Sequence, residues 1–134
     1  MSATSPSGAE IVRRFYELLG QGDADAAQAL LHEDLVIDEP PELPFGGIFR
    51  GRSAPLDIFA RIQPVARPSV VDGLHIRESD GPVLVTLTGR YTKPSGETID
   101  APIAELCTIE GGVITRMDVF YKNPGEVAAF FAAG

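Results

Sequence analysis

The sequence predicts an α+β fold: a cone-shaped barrel in which three N-terminal helices pack on a curved, mostly antiparallel sheet of about five to six strands around an apolar cavity. Three observations predict it. Apolar residues recur at helical spacing in the first half of the chain. From Val70 onward the pattern changes to four β-rich runs. Those runs are joined by Ser79-Asp80-Gly81-Pro82, Lys93-Pro94-Ser95-Gly96 and Glu110-Gly111-Gly112, all of which carry turn chemistry.

The elements follow in order. Residues 1–6 are small and polar and are expected to be flexible. Ser7-Gly8-Ala9-Glu10 has the form of a capping box, and Ile11, Phe15, Leu18 and Leu19 then mark one helical face. Gly20 and Gly22 stop that helix. Asp23 caps a second, with Ala27, Leu30 and Leu31 on its buried side and His32 in its last turn, where the helix dipole favours a cation. Leu35–Glu39 is a short strand, and Pro40, Pro41 and Pro44 forbid a regular ladder beyond it. A loop runs to about Gly51, with Gly46-Gly47 as its bend and Leu43 and Phe45 as lid residues at the cavity mouth. Ser53 opens a third helix with the stripe Leu56, Phe59 and Ile62, which Pro64 and Pro68 end. The strands are then Val70–Glu78, Val83–Thr92, Thr98–Ile109 and Val113–Lys122, and Glu126–Ala133 forms a short closing helix.

A chain of 134 residues with 44 % apolar and 22 % charged residues fits one domain, taken as residues 1–134, with a packed core. The net charge of −8, with scattered Lys and Arg, argues against nucleic acid as a partner. Cys107 is the only cysteine, which excludes an intrachain disulfide and a thiolate metal cluster and suits a reducing cytoplasm. The opening MSATSPSG lacks the charged and apolar regions of a secretory leader, and no apolar run reaches membrane-spanning length. His32 and His75 stand far apart with no metal-ligand spacing, and no glycine-rich phosphate loop is present. No cofactor is therefore expected, and the expected location is cytoplasmic.

The segments IVRRFYELLGQGDADAAQALLHEDLVIDEP, FRG, APIAEL and GGVITRMDVFYKNP lie in the order helix–helix–strand–loop–helix–meander. In this the chain, from about Ala9 to Phe131, resembles the nuclear transport factor 2-like superfamily. The likeness is greatest to the SnoaL-like members, a group of polyketide cyclases, ketosteroid isomerases, limonene epoxide hydrolase and scytalone dehydratase. The fold hosts enzymes and binding proteins alike, so the resemblance speaks first to architecture. Residue by residue it puts the catalytic base of the steroid isomerases on Glu39. It puts their two oxyanion donors on Phe15 and Ala104, neither of which has a side-chain donor, and that departure argues against steroid isomerisation. The Arg and Asp of the epoxide hydrolases fall near Thr86 and Thr88, which disfavours that reaction. The SnoaL-like cyclases imply an acid on the last strand, at Asp118.

Strand parity puts Leu35, Ile37 and Glu39 on one face and Val36 and Asp38 on the other. Both faces are apolar, so periodicity leaves two readings of Glu39: an acid in the pocket, or a solvated strand end. The resemblance favours the pocket, where desolvation would raise its pKa into the range of a general base. Parity points Asp118 away from the cavity unless a bulge after Gly111-Gly112 reverses the strand. Tyr121 and Tyr16 are the candidate hydroxyl donors, each of which also reads as a core tyrosine. The expected cavity wall is Phe15, Leu19, Leu31, Ile37, Phe45, Phe59, Leu106, Met117 and Val119. Cys107 shares parity with Glu105, on the face opposite Ala104 and Leu106, and reads as a buried inert thiol.

The expected function is a small cofactor-free enzyme transferring a proton on an apolar oxygenated molecule of polyketide-like type, as an isomerase, cyclase or dehydratase. A non-catalytic binding or interaction module of the same fold is the alternative. A homodimer through the outer sheet face is expected, with Ile103, Cys107 and Ile109 as the apolar residues to be covered.

Overall fold

The computed structural model describes residues 6–133; the expectation of flexibility lies, for residues 1–5, outside the described residues. The elements are α1 (Gly8–Gly20), α2 (Ala24–Gln28), β1 (Leu31–Glu39), β2 (Gly47–Arg50), α3 (Ala54–Ile62), β3 (Arg67–Arg77), β4 (Val83–Thr92), β5 (Thr98–Glu110), β6 (Val113–Tyr121) and α4 (Pro124–Ala132). Ser7 caps α1, accepting from the Glu10 amide at 3.2 Å. Asp23 caps α2 in the same way through Ala26, also at 3.2 Å. The six strands form one curled, unclosed sheet in the order β2-β1-β6-β5-β4-β3. Every neighbour pair is antiparallel except β1 and β6, which run parallel. This is the α+β cone that the sequence predicts.

The second helix is shorter than its pattern suggests. A single five-residue turn is too short to hold on its own, and the sheet takes over at Leu31, which pairs with Ile114. The Ile114 amide also donates to Leu30 O at 2.9 Å. Leu31 and His32 are therefore strand residues, and His32 Nδ1 accepts from the Asp34 amide at 2.9 Å.

The segment read as an open loop contains a strand. Two turns, Leu43 N to Pro40 O and Gly46 N to Leu43 O, fold the chain back so that β2 pairs with the end of β1, Glu39 against Gly47. The prolines that end β1 thus build a hairpin rather than a mobile mouth. Gly46 is the residue that permits it: a Cβ there would lie 2.0 Å from Pro40 O. Leu43 and Phe45 are buried, at 4 % and 0 % exposure, so neither is a lid.

α3 is rotated from the expected stripe. Ala54, Pro55, Ile58 and Ile62 face inward, Phe59 is half-buried and Leu56 is exposed. Pro68 does not end a helix but sits in β3, where it pairs with Tyr91. β3 is an edge strand, and an edge tolerates a residue that cannot donate to the ladder.

α1 packs over β3, β4 and β6, α3 over β1 and β2, and α4 against β5. The core lies between these helices and the concave face, with Phe15, Phe45, Leu31, Leu35 and Ile114 among its fully buried side chains. Each such residue contributes about 1.5–3 kcal/mol of burial. Lys93 helps to hold α4: its buried Nζ lies 4.2 Å from the centroid of Phe130. Ile103, Cys107 and Ile109 point into this concave side, not outward as expected. The convex face carries Ala104, Leu106, Asp118 and an exposed Phe120 instead. No described helix is long and apolar enough to cross a membrane.

Candidate active site

A cavity of about 410 Å³ lies inside the cone. Its walls are almost wholly apolar: Phe15 and Leu19 of α1, Pro55, Ile58, Phe59 and Ile62 of α3, and Ile37, Leu87, Ile103, Met117 and Val119 of the sheet. Gly20 and the edge-strand residues Ser69 and Val70 are the exposed lining residues, so the mouth opens between the end of α1 and β3. Besides Ser69 at the mouth, five polar side chains reach this space: Tyr16, Glu39, Tyr91, Glu105 and Tyr121. No Lys, Arg or His lines it among the described residues.

Sheet register explains how the two acids meet. Glu105 pairs with Val119 across β5 and β6, and Asp38 pairs with Asp118 across β1 and β6. Glu39, one residue on from Asp38, therefore lies beside Val119. The two glutamates are separated by two strand spacings, roughly 10 Å of backbone, with Val119 between them. On the same inner face Tyr121 pairs with Ile103, one step toward α4. Its hydroxyl is hydrogen-bonded to that of Tyr91, which crosses from β4. Phe45 holds this end in place, with ring centroids 5.7 Å from Tyr91 and 5.1 Å from Phe131. At the other side the Tyr16 hydroxyl donates to Glu105 Oε1.

The electrostatics follow from burial without a cation. Glu39 is 8 % exposed, and its Oε1 has no hydrogen-bond partner among the described residues. Desolvation, then the charges of Glu105 and Asp38, push its pKa up to about 8. Desolvation likewise lifts Glu105 to about 7, while the hydrogen bond from Tyr16 pulls it down. The phenols of Tyr16, Tyr91 and Tyr121 are all raised, chiefly by burial, so they stay protonated and act as donors. Burial also raises the Cys107 thiol, which leaves it without nucleophilic thiolate. No cluster of three or more His, Cys, Asp or Glu is arranged to hold a metal among the described residues.

Of the residues expected at the site, Glu39, Tyr16 and Tyr121 reach the cavity, as do Phe15, Leu19, Ile37, Phe45, Phe59, Met117 and Val119. Three do not. Leu31 is fully buried at the start of β1, in the core but not in the cavity wall. Leu106 is on the convex face, because the inner set on β5 is Ile103, Glu105 and Cys107. Asp118 is on the convex face too. Arg116 Nη2 lies 2.9 Å from its Oδ1 and 3.5 Å from Asp38 Oδ2. The bulge in this hairpin falls between Thr108 and Ile109 and leaves Asp118 outside.

Glu105 and Tyr91 are the polar residues that sequence reading missed. For Glu105 a signal existed: it is the one acid in the alternating apolar set Ile103, Glu105, Cys107 and Ile109. The positions lacking donors, Phe15 and Ala104, each precede a polar residue. Tyr16 and Glu105 stand one residue further along α1 and β5, and both reach the cavity.

The fold is thus a cone with an apolar interior into which a few polar groups point. The chain belongs to the SnoaL-like domain family, whose pattern it matches over residues 12–117. It is 25 % identical, over 131 residues, to uncharacterised proteins of Mycobacterium tuberculosis and Mycobacterium bovis, with 96 % of this chain and 99 % of each relative covered. Among solved structures, an NTF2-like protein of Burkholderia xenovorans superposes with a TM-score of 0.82 at 19 % identity, covering 97 % of this chain and 99 % of that one. A provisionally assigned polyketide cyclase of Xanthomonas campestris gives a TM-score of 0.70 at 25 % identity, covering 92 % and 96 %. TerC, co-crystallised with polyporic acid, gives 0.77 at 19 % identity, covering 92 % and 99 %.

Proposed function

We propose that this chain is a small cofactor-free enzyme that transfers a proton on an apolar, oxygenated small molecule, of the isomerase, cyclase or dehydratase type. Glu39 is the carboxyl that exchanges the proton with the substrate. One observation carries the reading: a buried carboxyl whose Oε1 lacks a protein partner faces an apolar cavity beside three phenols. A buried polar atom without a partner is costly, and a ligand that hydrogen-bonds it relieves that cost. A pKa near 8 puts Glu39 in the range where a carboxyl exchanges protons efficiently at neutral pH.

The cavity's chemistry describes the substrate. Apolar walls favour a largely hydrocarbon body. Two acids with no cation beside them disfavour a carboxylate or phosphate. Tyr91 and Tyr121 spend one hydroxyl proton on each other, and the other suits an uncharged carbonyl or hydroxyl. The resemblance to a provisionally assigned polyketide cyclase agrees with such a molecule. The binding-only alternative draws its support from missing donors at Phe15 and Ala104, and the inward Tyr91–Tyr121 hydroxyl pair, which has a proton to spare, weakens that support.

The test is Glu39→Gln, assayed on a substrate found by screening cyclic ketones and hydroxyketones. The variant is expected to keep its fold and bind the ligand while turnover falls at least about a hundredfold. Unchanged turnover would remove Glu39 from the mechanism.

A further inference from the structure

We propose that Glu105 is a second catalytic carboxyl, and that the two acids enter the reaction in opposite states: Glu105 ionised and Glu39 carrying the proton. The catalytic part of this inference rests on the proposed proton-transfer function; the placement of the proton does not.

Hydrogen bonding separates the two acids. Glu105 Oε1 accepts the only proton that Tyr16 can give, and an ionised acceptor gains more from such a bond than a neutral one. Glu39 has no such help, since its Oε1 is buried without a donor. A bare ionised oxygen there costs far more than a neutral acid. Charge then keeps the second acid from ionising. From α1 the pair meets Tyr16, from β4 Tyr91, from β5 Cys107 and from β6 Tyr121, all neutral. From α3 it meets Pro55, Ile58, Phe59 and Ile62, none of which titrates. Asp38 and Asp118 lie on the far face of the sheet and already engage Arg116 there. The surroundings therefore offer no positive charge to hold two anions. Glu105 accordingly ionises first and its charge holds the proton on Glu39.

The chemistry balances without a free enolate. The Glu105 carboxylate takes a proton from the carbon α to a substrate carbonyl, while the Glu39 carboxylic acid gives its proton to the carbonyl oxygen. A neutral enol results, with Glu105 now protonated and Glu39 ionised. Glu105 then returns its proton to a carbon of the enol system and Glu39 recovers the enol proton. Nothing is oxidised or reduced. Neutral-enol formation suits a site that has no cation to stabilise an oxyanion.

The proton's place is read without substrate, by a 13C NMR titration of the glutamate carboxyls in the intact chain from about pH 5 to about 10. Glu105 is expected to ionise first and Glu39 second. Glu105→Gln is expected to lower the Glu39 midpoint from about 8 by removing the neighbouring charge, while burial still holds it above the ordinary carboxylate range. Tyr16→Phe is expected to move the Glu105 midpoint up from about 7, which keeps the test available if Glu105→Gln does not fold. Glu39 ionising before Glu105 in the unaltered chain overturns the inference, as does a Glu39 midpoint that ignores Glu105→Gln. With a substrate in hand, Glu105→Gln is expected to lower kcat at least about tenfold and to abolish the acidic limb of the pH profile. If that variant turns over normally while Glu39→Gln does not, the inference falls and the role of Glu39 stands. If both turn over normally, the proton-transfer function itself falls.

Discussion

The two faces of the central strands carry acids one residue apart with opposite fates. On the concave face Glu39 and Glu105 sit among apolar walls, with phenols for company and no cation. On the convex face Asp38 and Asp118 share Arg116 within reach of water. Asp38 adjoins Glu39 in sequence, and Asp118 adjoins Val119, which lies between the two glutamates. The same functional group becomes a desolvated acid with a raised pKa on one side and a solvated ion-pair partner on the other. Desolvation makes the difference, because only the inner carboxyls lose water without gaining a positive partner.

The largest contrast between the faces lies in stability. Phe45→Ala is expected to cost about 3–5 kcal/mol, because it empties the centre of the cluster formed with Tyr91, Tyr121 and Phe131. Phe120→Ala, at a side chain 55 % exposed, should cost less than about 1 kcal/mol. Urea unfolding of both variants measures the gap, and equal losses would break the distinction between a packed inner face and an open outer one. The next contrast is in turnover. Glu39→Gln is expected to lose at least a factor of about 100, or about 2.7 kcal/mol of barrier, whereas Asp118→Asn should stay within about twofold. Equal losses from the two variants would return Asp118 to the mechanism.

Much of the fold was legible in the sequence, and the contrast between the faces shows where legibility ended. Ser7, Asp23 and the turn segments between strands act through neighbours a few residues away, so they could be read directly. The hairpin at Gly46 could not, because it depends on β1 being in place to receive β2. Strand alternation sorted Ile103, Glu105 and Cys107 from Ala104 and Leu106 correctly. It could not say which set faces the cavity, since both sets are apolar enough to be buried. Choosing wrongly put Leu106 in the wall and left Glu105 out of it.

A smaller test uses pH. The folded pKa values of Glu39 and Glu105, about 8 and about 7, both lie above the ordinary 4.5, so the folded chain holds more protons than the unfolded one between those limits. Stability is then complete below about 4.5 and falls as pH rises through about 7 and about 8, by on the order of 1–4 kcal/mol in all. Unfolding at about pH 5, 7 and 9 checks the sign, and Glu39→Gln should flatten the fall. A rise in stability over that range would mean that the inner acids are paired with a cation. The smallest expected effect is outside: Asp118→Asn should change stability by no more than about 1 kcal/mol, as for other solvent-exposed ion pairs.

The sequence by itself determined the α+β class, the turns and the order of every element but β2, because each rests on local propensity, and its resemblance to a known family made Glu39 a candidate where alternation left two readings. Only the tertiary structure decided which face of β5 and β6 is concave, and so that Glu105 joins Glu39 while Asp118 stays outside. That choice is made by the curl of the sheet and by the helices that cover it. Both arise from contacts between residues far apart in the chain, and no local pattern encodes them.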